Sequence, residues 1–302
     1  MKTKKKINRR SILYIPGNNP AMIQQGGVYG ADGILLDLED AVAPAQKDSA
    51  RILVKNMIQL INFYDAEVIV RINHLSTPFG QTDLEQIVPL QPDALRLPKI
   101  ESKQDVMDVL EVIEKIEKEN KITDSKMKIH PMIETSVGVM NVFEIAGSSK
   151  RVDSISIGGQ DLTADMGIIK TKDPTGLDYA RKAVVMAAKA NKIDAIDTVF
   201  ADIEDMEGLR EETIYAKMIG FSGKAVINPR QIEVIHDVYA PSEEEIRKAV
   251  RIIREFKKQK EKGVGVFAID GKMIDAPIVA RAQHVLDIAN INIDELSSIK
   301  EN

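Results

Sequence analysis

Two acidic residues stand out by position. Glu134 closes the apolar run Pro131–Ile133, and Asp161 follows Ser154–Gly159. A helical pattern over Val137–Ala146 lies between them, so the order reads strand, helix, strand. In a parallel α/β protein the carboxyl ends of neighbouring strands share one rim, where catalytic groups collect. Two carboxylates there suit a hard cation such as Mg2+, which takes oxygen ligands and leaves its other positions to water and substrate. The same acids could instead cap the following helices or pair with nearby cations. Spacing alone leaves both readings open.

Other strand ends carry further candidates. Arg71 interrupts the apolar run Val68–Asn73. A buried guanidinium needs a partner, so it either forms an internal salt bridge to Glu39 or Glu134 or clamps a substrate carboxylate or enolate oxygen. In the DLED stretch, Asp37 and Glu39 are two apart and share one face of an extended chain, where either could hold a metal-bound water or pair with Arg71 or Lys99. Asp40 would then face away and cap the next helix. Lys99 balances charge at the fourth strand end or is simply solvated. Asn18, Asn19, Asn73, Arg96, Asp202 and Asn228 complete the rim. Gly158 and Gly159 beside Asp161 expose backbone N–H groups that can cradle an anion, although a glycine pair is also an ordinary turn. The four histidines, His74, His130, His236 and His284, are dispersed and read as structural or surface residues. Asp275 precedes Ala-Pro before the last helical pattern, which reads as an N-cap.

These residues need a scaffold that brings strand ends together. Eight short runs supply one: Ser11–Pro16, Gly33–Asp37, Val68–Asn73, Ala94–Pro98, Ile129–Glu134, Ser154–Gly158, Ala195–Phe200 and Lys224–Asn228. They are nearly continuously apolar, as parallel strands buried on both faces should be. Helical patterns separate them, and the sum predicts a (β/α)8 TIM barrel over residues 11–239. A doubly wound sheet is the alternative, but GNNP after the first run is not GxGxxG. Residues 240–302 predict a C-terminal helix–hairpin–helix extension, with Asp270-Gly271 as the hairpin turn, packing on its own barrel or on a neighbouring subunit. The basic stretch 1–10 reads as a solvated, flexible arm or as a docking arm for an anionic carrier.

Bulk properties narrow the chemistry. The chain has 302 residues, 44% of them hydrophobic and 29% charged, as in an ordinary globular protein. A net charge of −5 disfavours nucleic acid as the main partner. With Cys 0, thiolate metal sites and a cysteine nucleophile are excluded. Trp is absent and aromatics are 4%, which argues against stacking platforms for bases or sugars. No run of about 20 apolar residues is present to span a membrane, and the N-terminus lacks the apolar stretch of a signal peptide.

Taken in order, SILYIPGNNPAMI, GILLDLEDAVAPAQKDSAR, VIVRINH, LRLPKIE, MIETSVGV, SIGGQDLTADMG, GKAVINPRQI and GKMIDAPI resemble the HpcH/HpaI-like aldolase family of Mg2+-dependent barrels, and within it the citrate lyase beta-subunit branch. The resemblance covers about residues 10–290. It implies Mg2+ held by Glu134 and Asp161, which with Arg71 and Gly159 would also meet the substrate. It implies Arg71 as the substrate-binding arginine, Glu39 or Asp275 as proton shuttle, and Asp275 reaching a neighbouring protomer's site. The implied reaction is retro-aldol cleavage of a citryl thioester on an acyl carrier protein, giving oxaloacetate and the acetyl thioester. The implied setting is a cytoplasmic complex with citrate lyase alpha and gamma subunits, built on a homo-oligomer, trimer-based. Asn228 in INPRQ, where many stand-alone relatives carry His, favours this branch over a malyl-CoA or methylmalyl-CoA lyase. A non-catalytic scaffold subunit is the remaining alternative, and the intact set of Glu134, Asp161 and Arg71 speaks against it.

Overall fold

The computed structural model describes residues 8–169, 174–261, 266–289 and 291. Its first compact unit, Met1–His236, is built on a closed barrel of eight parallel strands in sequence order. The strands are β1 (Ser11–Pro16), β2 (Gly33–Asp37), β3 (Glu67–Arg71), β4 (Ala94–Leu97), β5 (Lys128–Ile133), β6 (Ser154–Ile157), β7 (Asp194–Asp197) and β8 (Gly223–Val226). β8 closes on β1 through Ser11 opposite Lys224 and Leu13 opposite Val226. The expected TIM barrel is therefore the observed one. Ile12, Leu35, Ile69, Ala94 and Ile196 meet in its centre, with Tyr14 packed against them.

Helices follow each strand: α1 (Pro20–Gln25), α2 (Lys47–Leu60), α3 (Gly80–Ile87), α4 (Lys103–Glu119), α5 (Ser136–Met140), α6 (Val142–Ala146), α7 (Gly159–Asp165), α8 (Asp178–Asn191), α9 (Met206–Ile219) and α10 (Arg230–Tyr239). α4 shows why they form. Ser102 and Asp105 make a reciprocal capping box, and Val106, Val109, Leu110, Ile113 and Ile116 form a buried stripe at helical spacing. The single pattern expected over Val137–Ala146 is two short helices. They break at Asn141, whose side chain donates to Glu101 O at 2.8 Å. β3 and β7 end at Arg71 and Asp197, before the expected Asn73 and Phe200.

The basic start of the chain corrects the expected boundary of a free arm at residue 10; residues 1–7 lie outside the described residues. Arg9 is buried at the amino ends of the strands. Its guanidinium donates to Glu67 at 2.7 and 2.8 Å, to Asp153 at 3.0 Å and to Asp194 at 3.0 Å. Burial pushes the Glu67 carboxyl up, but the hydrogen bonds from Arg9 together with the charges of His130 and Arg9 outweigh it and leave the group below its ordinary value. Arg10 forks onto Asp32 at 2.8 Å. The chain runs so close to β8 that a Cβ on Gly223 would lie 1.7 Å from Arg9 O. Positive charge in the sequence suggested solvation, whereas carboxylates waiting at strand starts made these arginines part of the barrel floor.

The second unit, Asp237–Asn302, divides from the first inside α10, earlier than the expected 239/240. It holds α11 (Glu243–Glu261), a hairpin of β9 (Phe267–Ile269) and β10 (Lys272–Ile274), and α12 (Ala276–Ile288). Asp270 and Gly271 both take positive φ, 51° and 74°, which suits a type I′ turn. Ala249 and Ile253 of α11 pack on Ala282 and Leu286 of α12.

Replacing Arg9 by Met is expected to destabilise the barrel by about 3–5 kcal/mol, because Glu67 is left buried without its cation. Urea unfolding of the full chain measures this, and a change near zero would show Arg9 to be dispensable.

Candidate active site

β2 and β3 end in register, with Asp37 opposite Arg71. The two side chains form a fork: Arg71 Nε donates to Asp37 Oδ1 at 2.7 Å and Nη2 donates to Oδ2 at 2.6 Å. Both are buried, and the guanidinium also lies 5.5 Å from the centre of the Tyr14 ring. The third nitrogen, Nη1, reaches outward to Glu39 at 2.9 Å and Asp40 at 3.3 Å. Arg71 thus makes the internal salt bridge and still turns one edge to the rim. Asp37 has nothing left for a metal-bound water, since its oxygens also accept from Glu39 N–H at 2.9 Å and Ala41 N–H at 3.0 Å.

Those two bonds bend the chain immediately after β2, so the alternation expected along DLED stops at Asp37. Lys47 fixes the bend by donating to Leu38 O at 2.9 Å and Glu39 O at 2.6 Å. Asn73 adds a bond to Leu38 O at 2.9 Å. The consequence corrects the expected orientation of Asp40. Its carboxylate faces inward and joins Glu134 and Asp161, with one oxygen from each lying within 4.8 Å of the others.

Glu134 follows β5 and is 1% exposed. Its Oε2 accepts from Lys99 N–H at 2.7 Å, while Oε1 is buried with no hydrogen-bond partner among the described residues. Burial is the main cause that pushes the Glu134 carboxyl up to about 8; the charge of Glu39 adds to the rise, and Arg71 and the Lys99 N–H oppose it. Glu39 is likewise pushed up to about 7, first by burial and then by Asp40, against the pull of Arg71. Lys99 Nζ lies 3.4 Å from Glu39 Oε1. Asp161 stands in the first turn of α7.

The glycine pair has a different role from the one expected. A Cβ on Gly158 would lie 2.6 Å from Glu134 Oε1, so glycine is what lets that carboxylate sit there. Gly159 N–H donates to Thr198 Oγ1 at 3.0 Å, and so is not an open donor for substrate. Several other rim candidates are local caps. Asn19 caps α1, Asn228 accepts from Arg230 N–H at 3.0 Å, and Asp202 accepts from Glu204 N–H at 3.1 Å. Arg96 lies inside the barrel, fully buried, with its guanidinium unpartnered among the described residues. His130, also buried, bonds Asp153 at 2.9 Å on the floor side. Asp275 belongs to the second unit, where its Oδ1 accepts from Ile278 N–H at 3.2 Å and caps α12, as its sequence context suggests. A cavity of about 790 Å³ lies beyond Gly159, among Thr198, Phe200, Arg181, Asp202 and Tyr215, and Glu39, Asp40, Glu134 and Asp161 do not line it.

Asp40, Lys47 and Thr198 were not singled out as site residues. Asp40 lay within a conspicuous acidic stretch, but its direction depends on the bend after Asp37. Lys47 and Thr198 act on backbone groups, and such contacts leave no motif in a sequence.

The oxygen-only donor set and the orphaned, buried Oε1 of Glu134 fit a hard divalent cation. Comparison with known proteins agrees. A family model described as HpcH/HpaI aldolase/citrate lyase matches residues 10–229. Citrate lyase subunit beta of Leuconostoc mesenteroides subsp. cremoris is 43% identical over 293 residues, 94% of each chain. The CitE protein of Mycobacterium tuberculosis in complex with magnesium, acetoacetate and coenzyme A superposes with a TM-score of 0.76 at 28% identity, covering 93% of this chain and 98% of that one. A citrate lyase beta subunit from M. tuberculosis complexed with oxaloacetate and magnesium gives 0.66 at 28% identity, with coverage of 78% and 99%.

A cation bound at this cluster must displace the proton that Glu134 holds below about pH 8. Mg2+ affinity is expected to rise from about pH 6 to about pH 8, approaching tenfold per unit, and to level off above. Calorimetry in buffers of different protonation enthalpy checks this, and a pH-independent affinity without proton release contradicts it.

Proposed function

The chain belongs to the HpcH/HpaI aldolase/citrate lyase family, and from that premise we propose that it is the beta subunit of a citrate lyase, cleaving a citryl thioester to oxaloacetate and an acetyl thioester. It is a carbon–carbon lyase with Mg2+ as cofactor. The observation that carries the reading is the buried Glu134 carboxylate, whose Oε1 is unpartnered among the described residues, grouped with Asp40 and Asp161 beside the edge of Arg71 that meets Glu39 and Asp40.

Glu134 and Asp161 would hold the cation, with Asp40 as a third ligand. When bound, Mg2+ supplies positive charge that lowers the pKa of the substrate hydroxyl and offsets charge on the forming keto acid. Glu39, with a carboxyl poised at about 7, takes the hydroxyl proton. The bond between the carbinol carbon and the methylene next to the thioester then breaks, and its electron pair passes into the thioester as an enolate. Arg71 Nη1 faces this developing charge, while the Asp37 fork keeps the guanidinium from turning away. A proton must finally reach the enolate carbon, and we assign its delivery to Asp275 of a neighbouring protomer. Asp275 lies in the second compact unit, where its Oδ1 caps α12, and the assignment rests on the family resemblance.

A citrate lyase beta subunit works in a complex with other subunits. The finer reading is that the thioester is carried on the acyl carrier protein (gamma) subunit, alongside the alpha subunit, around a trimer-based homo-oligomer in the cytoplasm. Among the described residues, no helix is long and apolar enough to cross a membrane.

Glu134→Ala and Asp161→Ala should each lower turnover of citryl thioester by on the order of 1,000-fold, equivalent to about 4 kcal/mol of transition-state stabilisation. EDTA should do the same to the native chain. Full activity in either folded variant would sink the metal assignment.

Asp275→Asn keeps an N-cap and removes the charge. Mixing the inactive Asp275→Asn and Arg71→Ala chains should restore activity, because one site in a mixed oligomer can draw each residue from an intact chain. No recovery after demonstrated subunit exchange would place Asp275 outside the site.

A further inference from the structure

Lys99 is held in an unusual conformation for its type. It follows Pro98 at the end of β4 with φ at 53°, in the left-handed region that costs a residue with a Cβ. Regular pairing of β4 with β5 ends at Leu97 opposite Pro131 and resumes through Ile100 N–H to Met132 O at 3.2 Å. Within that kink the Lys99 N–H swings to Glu134 Oε2 at 2.7 Å. The strained residue therefore fixes Oε2 of the Glu134 carboxylate and leaves Oε1 without a partner among the described residues, in a group with Asp40 and Asp161.

The side chain returns to the same place. Lys99 Nζ is 3.4 Å from Glu39 Oε1 and 47% exposed, and the charges of Glu39, Asp40 and Glu134 draw its pKa up against the effect of burial. The neighbouring cations are committed. Arg71 is locked to Asp37 by two bonds, and Lys47 is spent on the Leu38 and Glu39 carbonyls. Among the described residues, Lys99 combines a place beside the acids with a long, half-exposed chain that can withdraw.

We propose that Lys99 is a positioning residue of the metal site: its backbone orients Glu134, and its ammonium offsets the rim carboxylates until a divalent cation takes that charge over. This rests on the reading of the rim as a Mg2+ site. Binding the cation then costs the displacement of a like charge, so Lys99 restrains Mg2+ affinity instead of adding to it. With the cation in place, the released ammonium stays at the mouth, where the substrate is anionic.

The sign of one measurement separates this from a purely structural role. Lys99→Gly keeps the N–H to Glu134, tolerates the positive φ and removes the ammonium. Calorimetric titration of Mg2+ into the full-length chain at fixed pH should show binding about tenfold tighter than in the native protein, as expected for removing a unit charge several ångströms from a divalent ion. The gap should shrink as salt is added, and Lys99→Arg should bind like the native chain. Unchanged or weaker binding by a Lys99→Gly protein with native melting behaviour overturns the proposal. Absence of Mg2+ binding by the native chain overturns the metal reading, and this inference with it.

Discussion

One guanidinium stands at the centre of the rim. Arg71 faces Asp37, Glu39 and Asp40, and just beyond them lie Glu134 and Asp161. So many acids cannot all be ionised around one buried cation without repulsion, and the fold solves this unevenly. Asp37 takes both strong bonds of the fork and two backbone N–H groups. Glu39 and Glu134 receive much less, and burial pushes both carboxyls up toward or above neutrality. The rim is built with a deficit of positive charge, which is the electrostatic form of a cation site.

The surrounding structure maintains that deficit. Register between β2 and β3 puts Asp37 and Arg71 side by side. Lys47 and Asn73 clamp the bend that turns Asp40 inward. Gly158 leaves room for the Glu134 carboxylate, and the Lys99 kink aims it. Each element acts on backbone or on carboxylate direction, and none of these groups supplies the missing charge fully. A site that needs geometry within fractions of an ångström is here carried by strand ends and short turns of a closed barrel, which has no free edge to relax.

Strand positions and the two acids at β5 and β6 were legible in the sequence because buried parallel strands are continuous apolar runs, and a charge that ends one is conspicuous. Asp40 was legible as a residue but not as a direction. The two-residue alternation was carried past Asp37, where side-chain bonds to Glu39 and Ala41 N–H had already ended the extended chain. Gly159 looked like an anion cradle because its Thr198 partner comes from the next strand. Arg9 and Arg10 looked solvated because the carboxylates that bury them start distant strands. For Gly159 and Arg9 the deciding contact spans strands that a linear reading cannot align, whereas for Asp40 it is a local bend set by Asp37.

The two ends of the same barrel show how structural and functional charge differ. At the floor, Arg9 meets Glu67, Asp153 and Asp194, and His130 adds a bond to Asp153. There burial is outweighed: Glu67 falls below its ordinary range, and the bonds from His130 and Arg9 hold the Asp153 carboxyl down at about 2. At the rim the same residue types move the opposite way, Glu39 to about 7 and Glu134 to about 8. A carboxylate held below its ordinary value is already satisfied and contributes to folding. One held above it is waiting for a proton or a cation, and its free energy is available to binding. Glu67 and Glu134 are both buried glutamates whose shifts run in opposite directions, and the upward one sits at the carboxyl end, beside the acids proposed to hold the cation.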